Sequence, residues 1–485
     1  MQQSMKTAYA MYKKIGFVAG PLLCLLLYNL PMVLINPEAD KVMAVAAWMI
    51  SWWITEAVSI SVTALIPLTI FPLLGIAEMK SVAASYGSPI VFLFFGGFIM
   101  ALALEKVGLH KRIALRIISL TGTSPNRVVL GFMIATALLS MWISNTATTV
   151  VMLPIALSVI QLLSNDADGF TANDENFALS IMLGIAYSAN VGGIATIIGT
   201  PPNTVMVGFV EQEYGLQISF LNWMKMGVPF SCLMIALVYV ILVKWIYPNR
   251  MGAMQQSTQL IEESLRALGP VRAEERRVMI VFSCTIFLWI ARAYINEYVP
   301  SVKLTDAGIS MLAAFALFTV PFKFGRGEFS LQWEDTQRLP WGILILFGGG
   351  LALASALSAT GVIDFIGELI SSKEGLSAAL ITSLLILIML FMTELMSNVA
   401  LVAIFSPVVA GIALGLDQEM LYLLIPVAMA SSCAFMLPMA TPPNAIVFAS
   451  GYIKVHEMAK AGIVLNLLSV ALLILFSLFV IPLLF

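Results

Sequence analysis

The chain has 485 residues, of which 60% are apolar and 11% charged, against roughly 25% charged in a soluble domain. So few charges cannot cover a water-soluble particle of this size, and the outside must face lipid. The balance of 25 basic against 27 acidic residues gives a net charge of −2, which leaves no basic excess to hold nucleic acid.

In chain order, apolar stretches long enough to span a bilayer, about 20 residues each, fall near 15–35, 42–58, 60–76, 88–106, 177–211, 221–247, 278–298, 305–322, 341–363, 420–453 and 461–485. These are eleven predicted crossings. The first follows Lys6, Lys13 and Lys14 as a signal peptide would, but no small-x-small cleavage site closes it, so it reads as a spanning helix. Two further apolar stretches, 128–163 and 376–416, are interrupted by Ser144-Asn145-Thr146 and Ser397-Asn398. Each is expected to be a re-entrant helical hairpin that enters and leaves on one side. With a cytoplasmic N-terminus, nineteen of the 25 Lys and Arg residues lie in inside segments. Five lie outside (Lys41, Lys80, Lys225, Lys303, Lys373), and Arg292 remains within a helix. The positive-inside rule favours that orientation.

Cys24, Cys232, Cys284 and Cys433 sit singly in apolar stretches and read as small core residues. His110 and His456 belong to no metal-ligand cluster, and no phosphate-cradling GxxxxGK[ST] run is present. A metal-dependent membrane protease and an ATP-driven pump are thereby set aside. A membrane enzyme without a metal is a poor reading, because neither Ser144 nor Ser397 has a His or Lys at hand to activate it. A channel or a secondary transporter remains.

A shift of 253 residues lays Phe94, Gly96, Gly97, Ala101, Leu104 and Gly108 on Phe347, Gly349, Gly350, Ala354, Leu357 and Gly361. The same shift lays Ser144-Asn145 on Ser397-Asn398 and Pro154 on Pro407. One offset serving segments this far apart marks an internal duplication. The helices at 88–106 and 341–363 are five crossings apart, an odd number, so the copies form an inverted repeat. A second pair, Thr200-Pro201-Pro202-Asn203 and Thr441-Pro442-Pro443-Asn444, shares an offset of 241. Consecutive prolines remove two backbone donors and force the preceding residue out of the helical region, so each TPPN should split its helix. Freed carbonyls and amides survive in a membrane only when buried in protein or lining a polar cavity. Matched interruptions in two halves therefore point to a transporter's binding site rather than to a continuous pore.

A hard cation wants several oxygen ligands, which unwound carbonyls and Ser, Thr and Asn side chains supply without formal charge. Two symmetric clusters imply two cation sites. The half-helix N-termini beside them suit a carboxylate. Neither motif pair contains Lys or Arg, so the compensating charge for a multivalent anion would have to come from bound cations and helix ends, which predicts obligatory coupling.

The runs ISNTATTVVMLPI and IGTPPN resemble those of the divalent anion/sodium symporter family, whose members carry di- and tricarboxylates, and the similarity spans the whole chain. The resemblance implies SN[T] motifs at the tips of two re-entrant hairpins, a homodimer, and an elevator motion in a bacterial inner membrane. It implies no cofactor, with sodium as the coupling ion, and a C4-dicarboxylate such as succinate as substrate. Exchange without sodium is the alternative, and an anion channel a distant one. Carried over by position, one sodium site uses Ser140, Ser144, Asn145 and the Gly199 carbonyl. The other uses Thr393, Asn398 and the carbonyls of Met396 and Ala440. The 253 shift independently pairs Ser140 with Thr393 and Asn145 with Asn398. Substrate carboxylates would meet Ser144, Asn145, Thr146 and Thr200 on one side and Ser397, Asn398, Thr441 and Pro442 on the other. Val399 stands where the family often has Thr, so one hydroxyl is missing.

The implied organisation is scaffold helices in 1–124 and 278–374, transport-domain parts in 125–250 and 375–485, and a polar cytoplasmic connector in 251–277. Glu394, inside the second hairpin, is read as a structural hydrogen-bond acceptor for the hairpin backbone in preference to a cation ligand, because the 253 shift pairs it with Met141. Arg292 is expected to snorkel toward Glu297. Trp48, Trp52, Trp53, Trp223, Trp245, Trp333 and Trp341 read as interface anchors.

Overall fold

Helix starts follow cap chemistry. Asn36 accepts the Ala39 amide at 2.7 Å ahead of Pro37–Thr55, Thr171 and Asp174 form a capping box ahead of Ala172–Ile194, and Pro125 opens Pro125–Ser140. The computed structural model describes residues 11–30, 35–164, 170–252, 255–299, 301–323, 328–372 and 377–485. Lys6, Arg326 and Lys373, which entered the loop-charge reading, lie outside the described residues.

Among the described residues nine helices are long and apolar enough to cross a membrane. Outward-facing side chains such as Leu25, Phe287 and Phe315 are apolar and more than half exposed, as a lipid-facing surface requires. The chain is a multi-pass membrane protein, all helical in its described segments but for one small antiparallel pairing of Pro321–Lys323 with Glu328–Phe329.

Each predicted crossing contains a helix, and three are discontinuous. Two break at the TPPN motifs as expected: Ala172–Ile194 resumes as Pro201–Tyr214, and Met420–Ala430 resumes as Pro442–Phe448. The third, 60–76, was expected as one span and is instead split into Ile60–Thr63 and Ile66–Leu73. Pro67 has no amide to bond the Thr63 carbonyl, so the first turn cannot propagate. The interrupted stretches are two helix–turn–helix units. Pro125–Ser140 is followed by Asn145–Ser164, and Ala378–Met392 by Asn398–Gly415.

The repeat is visible in packing. Phe94 and Phe347, partners under the 253 shift, meet edge to face at 4.9 Å. Gly108 and Gly361 both have φ of 77°, a conformation that favours glycine. Each turns a long helix into a short one, Leu109–Leu120 and Val362–Ser371.

Three side-chain expectations are corrected. Arg292 pairs with Asp306 at 3.3 Å, not with Glu297, because the next helix begins at Asp306 and brings a buried carboxylate nearer than one helical turn does. Trp53 and Trp223 are fully buried, their indole N–H groups bonding the carbonyls of Ile60 and Ile194 at 3.1 and 2.9 Å, so they tie helices together instead of anchoring at an interface. Cys24 and Cys433 are buried as expected, but Cys232 and Cys284 are exposed, on a surface whose apolar neighbours leave no need to hide a thiol.

The helix Gln255–Ala267 of the connector leads into a corner held by Arg112. Its guanidinium donates to Glu275 at 2.9 Å and to the Gly269 carbonyl at 2.8 Å.

Candidate substrate and cation site

At each TPPN break the threonine is extended, with φ of −140° at Thr200 and −141° at Thr441, and the prolines restart the helix. The carbonyls released upstream are collected by the motif's last residue. Asn203 Nδ2 lies 3.3 Å from the Gly193 carbonyl and 2.9 Å from that of Thr196. Asn444 Nδ2 lies 3.1 Å from the carbonyls of Ala434 and Leu437. The 241 shift pairs Gly193 with Ala434 and Thr196 with Leu437, so both breaks are built alike. Asn203 and Asn444 were not assigned a role from the sequence, although the shared offset already paired them.

The hairpin tips meet these breaks. Ser140 Oγ is 2.6 Å from Asn145 Oδ1 and 2.7 Å from the Ala189 carbonyl. Thr393 Oγ1 is 2.6 Å from Asn398 Oδ1 and 2.7 Å from the Ser431 carbonyl. A hydroxyl carries one proton, so in each half three oxygens crowd together with a single hydrogen among them. Such a cluster is poor in donors and rich in lone pairs, which is the chemistry that receives a hard cation. Ser140 and Thr393 are fully buried. Gly193 completes the first cluster by what it lacks: a Cβ there would stand 2.6 Å from Asn145 Oδ1 and 3.1 Å from the Gly199 carbonyl. Among the described residues no group of three or more His, Cys, Asp or Glu could hold a metal ion, so a cation here would be held by neutral oxygens.

A cavity of about 580 Å³, in the range of small-molecule sites, lies between the tips and the breaks. Ser144, Asn145, Thr146, Gly199 and Thr200 line it from the first half. Met396, Ser397, Asn398, Val399, Ala440, Thr441 and Pro442 line it from the second. The structure thus brings every predicted substrate-contacting residue to one cavity, with Ser140 and Thr393 behind the asparagines. Ser144 and Ser397 accept the amides of Ala147 and Ala400 at 3.2 and 3.5 Å, capping helices that start at Asn145 and Asn398. Two helix N-termini therefore point at the cavity, where they favour an anion. Among the described lining residues only Glu56, at the mouth, carries a formal charge. A dianion bound inside meets no Lys or Arg among the described residues of the wall.

Glu394 is 3% exposed. Its carboxylate accepts the amides of Phe435, Met436 and Leu437 at 2.8, 2.9 and 3.0 Å and Asn466 Nδ2 at 2.7 Å. The structural reading stands, but the backbone it serves is that of the second break and not of its own hairpin. Asn190 was missed: its Nδ2 donates to Thr441 Oγ1 at 3.0 Å, linking the first long helix to the second break, and it lines the cavity.

The family model for the sodium:sulfate symporter transmembrane region matches residues 13–485. The chain belongs to this family. It is the divalent anion/sodium symporter family that the SNT and TPPN runs resembled, and its members are transporters, not enzymes. Among curated relatives, the sodium-dependent dicarboxylate transporter SdcS of Staphylococcus saprophyticus is 39% identical over 484 residues, covering 98% of this chain and 92% of that one. The protein of the same name in Staphylococcus aureus strain RF122 is 37% identical, covering 98% and 93%. Two solved structures share the fold at low identity. The Alcanivorax borkumensis YdaH transporter has a TM-score of 0.56 at 13% identity, covering 98% of this chain and 100% of that one. Neisseria gonorrhoeae MtrF has 0.55 at 12%, covering 98% and 96%.

Proposed function

We propose that this symporter-family chain couples sodium to the uptake of a C4-dicarboxylate such as succinate. The observation that carries the reading is the pair of buried oxygen clusters, each with one proton, beside a cavity whose inner wall has no cationic side chain among the described residues. A dianion alone would sit there uncompensated; with a cation in each cluster the pocket approaches neutrality, so neither binds well without the other. The names of the staphylococcal relatives support sodium and dicarboxylate as the pair.

In this reading Ser140, Ser144, Asn145 and the Gly199 carbonyl hold one sodium ion. Thr393, Asn398 and the carbonyls of Met396 and Ala440 hold the other. Asn145 and Asn398 each turn one amide atom to a cation and the other to the substrate. Thr146, Thr200, Thr441 and the two helix N-termini receive the carboxylates. The hairpins and broken helices form the moving part of a homodimer in a bacterial inner membrane, carried past the scaffold helices by an elevator motion, with the N-terminus cytoplasmic. Uptake of labelled succinate, citrate and sulfate into proteoliposomes with and without a sodium gradient tests this. Sodium-stimulated succinate uptake is expected, and equal uptake in choline and sodium buffers overturns the coupling.

A further inference from the structure

The mouth of the cavity carries the charges that its inner wall lacks. Lys13 Nζ, on the helix Met11–Asn29, lies 3.4 Å from Glu56 Oε2, just past the end of Pro37–Thr55. A space of about 280 Å³ bounded by Lys13, Glu56, Ser59, Ile60 and Ser397 adjoins the pair. Glu56, Ile60 and Ser397 also line the main cavity, so this space is its vestibule.

Glu56 does not sit where local energetics would place it. Glu56 holds a left-handed backbone, with φ of 45°, which residues other than glycine rarely adopt. The side chains are 28% and 55% exposed, and an ion pair so open to solvent adds little stability. An unfavourable backbone with little stability in return, placed beside the cavity, points to a role in access to it.

We infer that Lys13 and Glu56 form an electrostatic gate over the substrate cavity. Lys13 draws a dianion to the mouth, and Glu56 competes with that dianion for the ammonium group. The lysine has three donors, and a dicarboxylate in the vestibule offers two negative charges where Glu56 offers one. Ser397, across the vestibule, caps the second hairpin helix, so an anion that leaves that helix N-terminus for the cytoplasmic mouth next meets Lys13. The inference rests on the proposed anion transport and adds the residues that govern access. Attraction at such a mouth is screened over a Debye length of about 10 Å at 0.1 M salt, which gives the gate a signature in ionic strength.

The experiment is succinate binding to the purified full-length protein in detergent, read by thermal stabilisation at fixed sodium while choline chloride raises the ionic strength. Lys13→Gln is expected to weaken apparent affinity by about threefold to fivefold at low ionic strength, with the gap closing at high salt. Glu56→Gln is expected to tighten it under the same conditions. Melting without substrate reports whether each variant folds, and if Lys13→Gln does not, Glu56→Gln decides alone. Wild-type affinity and salt dependence in the folded variants, or a shift of the same sign in both, would make the pair a strap between two helices and sink the gate. If wild type binds neither succinate nor sulfate, the gate falls together with the transport reading.

Discussion

Glu394 receives four donors from residues at least 41 positions away, and its symmetric counterpart is Met141. In the first half the Thr196 hydroxyl does the comparable work, accepting the Gly199 amide at 3.0 Å and donating to the Met141 carbonyl at 2.6 Å. The second half leaves a longer stretch out of the helix, 431–441, and a carboxylate gathers its amides. Glu394→Gln keeps the shape but turns an NH2 toward backbone donors. It is expected to lose about 1.5 to 3 kcal/mol, the worth of a hydrogen bond to a charged group, seen as a lower melting temperature and a smaller sodium-induced shift. Melting like wild type would mean that the amides find other partners. Val399 raises the opposite question. It lines the cavity and packs partly buried between the two core clusters, where Thr146 stands in the other half. Val399→Thr is expected to tighten succinate binding by about 0.5 to 1.5 kcal/mol, the net worth of one hydrogen bond, measured by competition against labelled substrate. Weaker binding would show that the new hydroxyl is buried without a carboxylate in reach.

At the scale of elements, the first cluster depends on how closely two backbones approach. Gly193→Ala would put a methyl against Asn145 Oδ1 and the Gly199 carbonyl, where neither can retreat without opening the break. It is expected to remove the first cluster's share of the sodium-induced thermal stabilisation, whereas Gly252→Ala, with no atom of the described residues within 4 Å of the new Cβ, is expected to leave it intact. A full sodium shift in Gly193→Ala would place the cation elsewhere. The breaks were legible in the sequence because two prolines act on their own backbone, wherever the helix packs. The hairpins were legible because Ser144-Asn145 and Ser397-Asn398 interrupt otherwise continuous apolar runs at a shared offset. What escaped depended on distant chain. Arg292 chose Asp306 fourteen residues on, Trp53 and Trp223 turned inward to carbonyls that only folding brings near, and Asn190 reaches a threonine 251 positions away. The split at Ile60–Leu73 was a local signal passed over, since Pro67 marked it.

Across the whole molecule, duplication does more than repeat a shape. It places two equivalent oxygen clusters on opposite sides of one cavity, each with a helix N-terminus, so a diacid can be held at both ends by related elements. The Asn190 bond to Thr441, and Tyr187 Oη donating to the Phe435 carbonyl at 2.8 Å, join the first long helix to the second break, so the clusters are not mechanically separate. Ordering one break by a bound cation should therefore ease ordering of the other, adding to the electrostatic coupling through a shared dianion. Succinate uptake is expected to depend on sodium with a Hill coefficient above one. Asn145→Ala and Asn398→Ala are each expected to abolish uptake while leaving the protein folded and removing only part of the sodium-induced stabilisation, because each deletes one cluster. A hyperbolic sodium dependence would mean that one cluster alone carries a coupling ion. If both alanine variants kept the full thermal shift, neither asparagine would be a cation ligand, and the crowding at Ser140 and Thr393 would be packing within the hairpins alone.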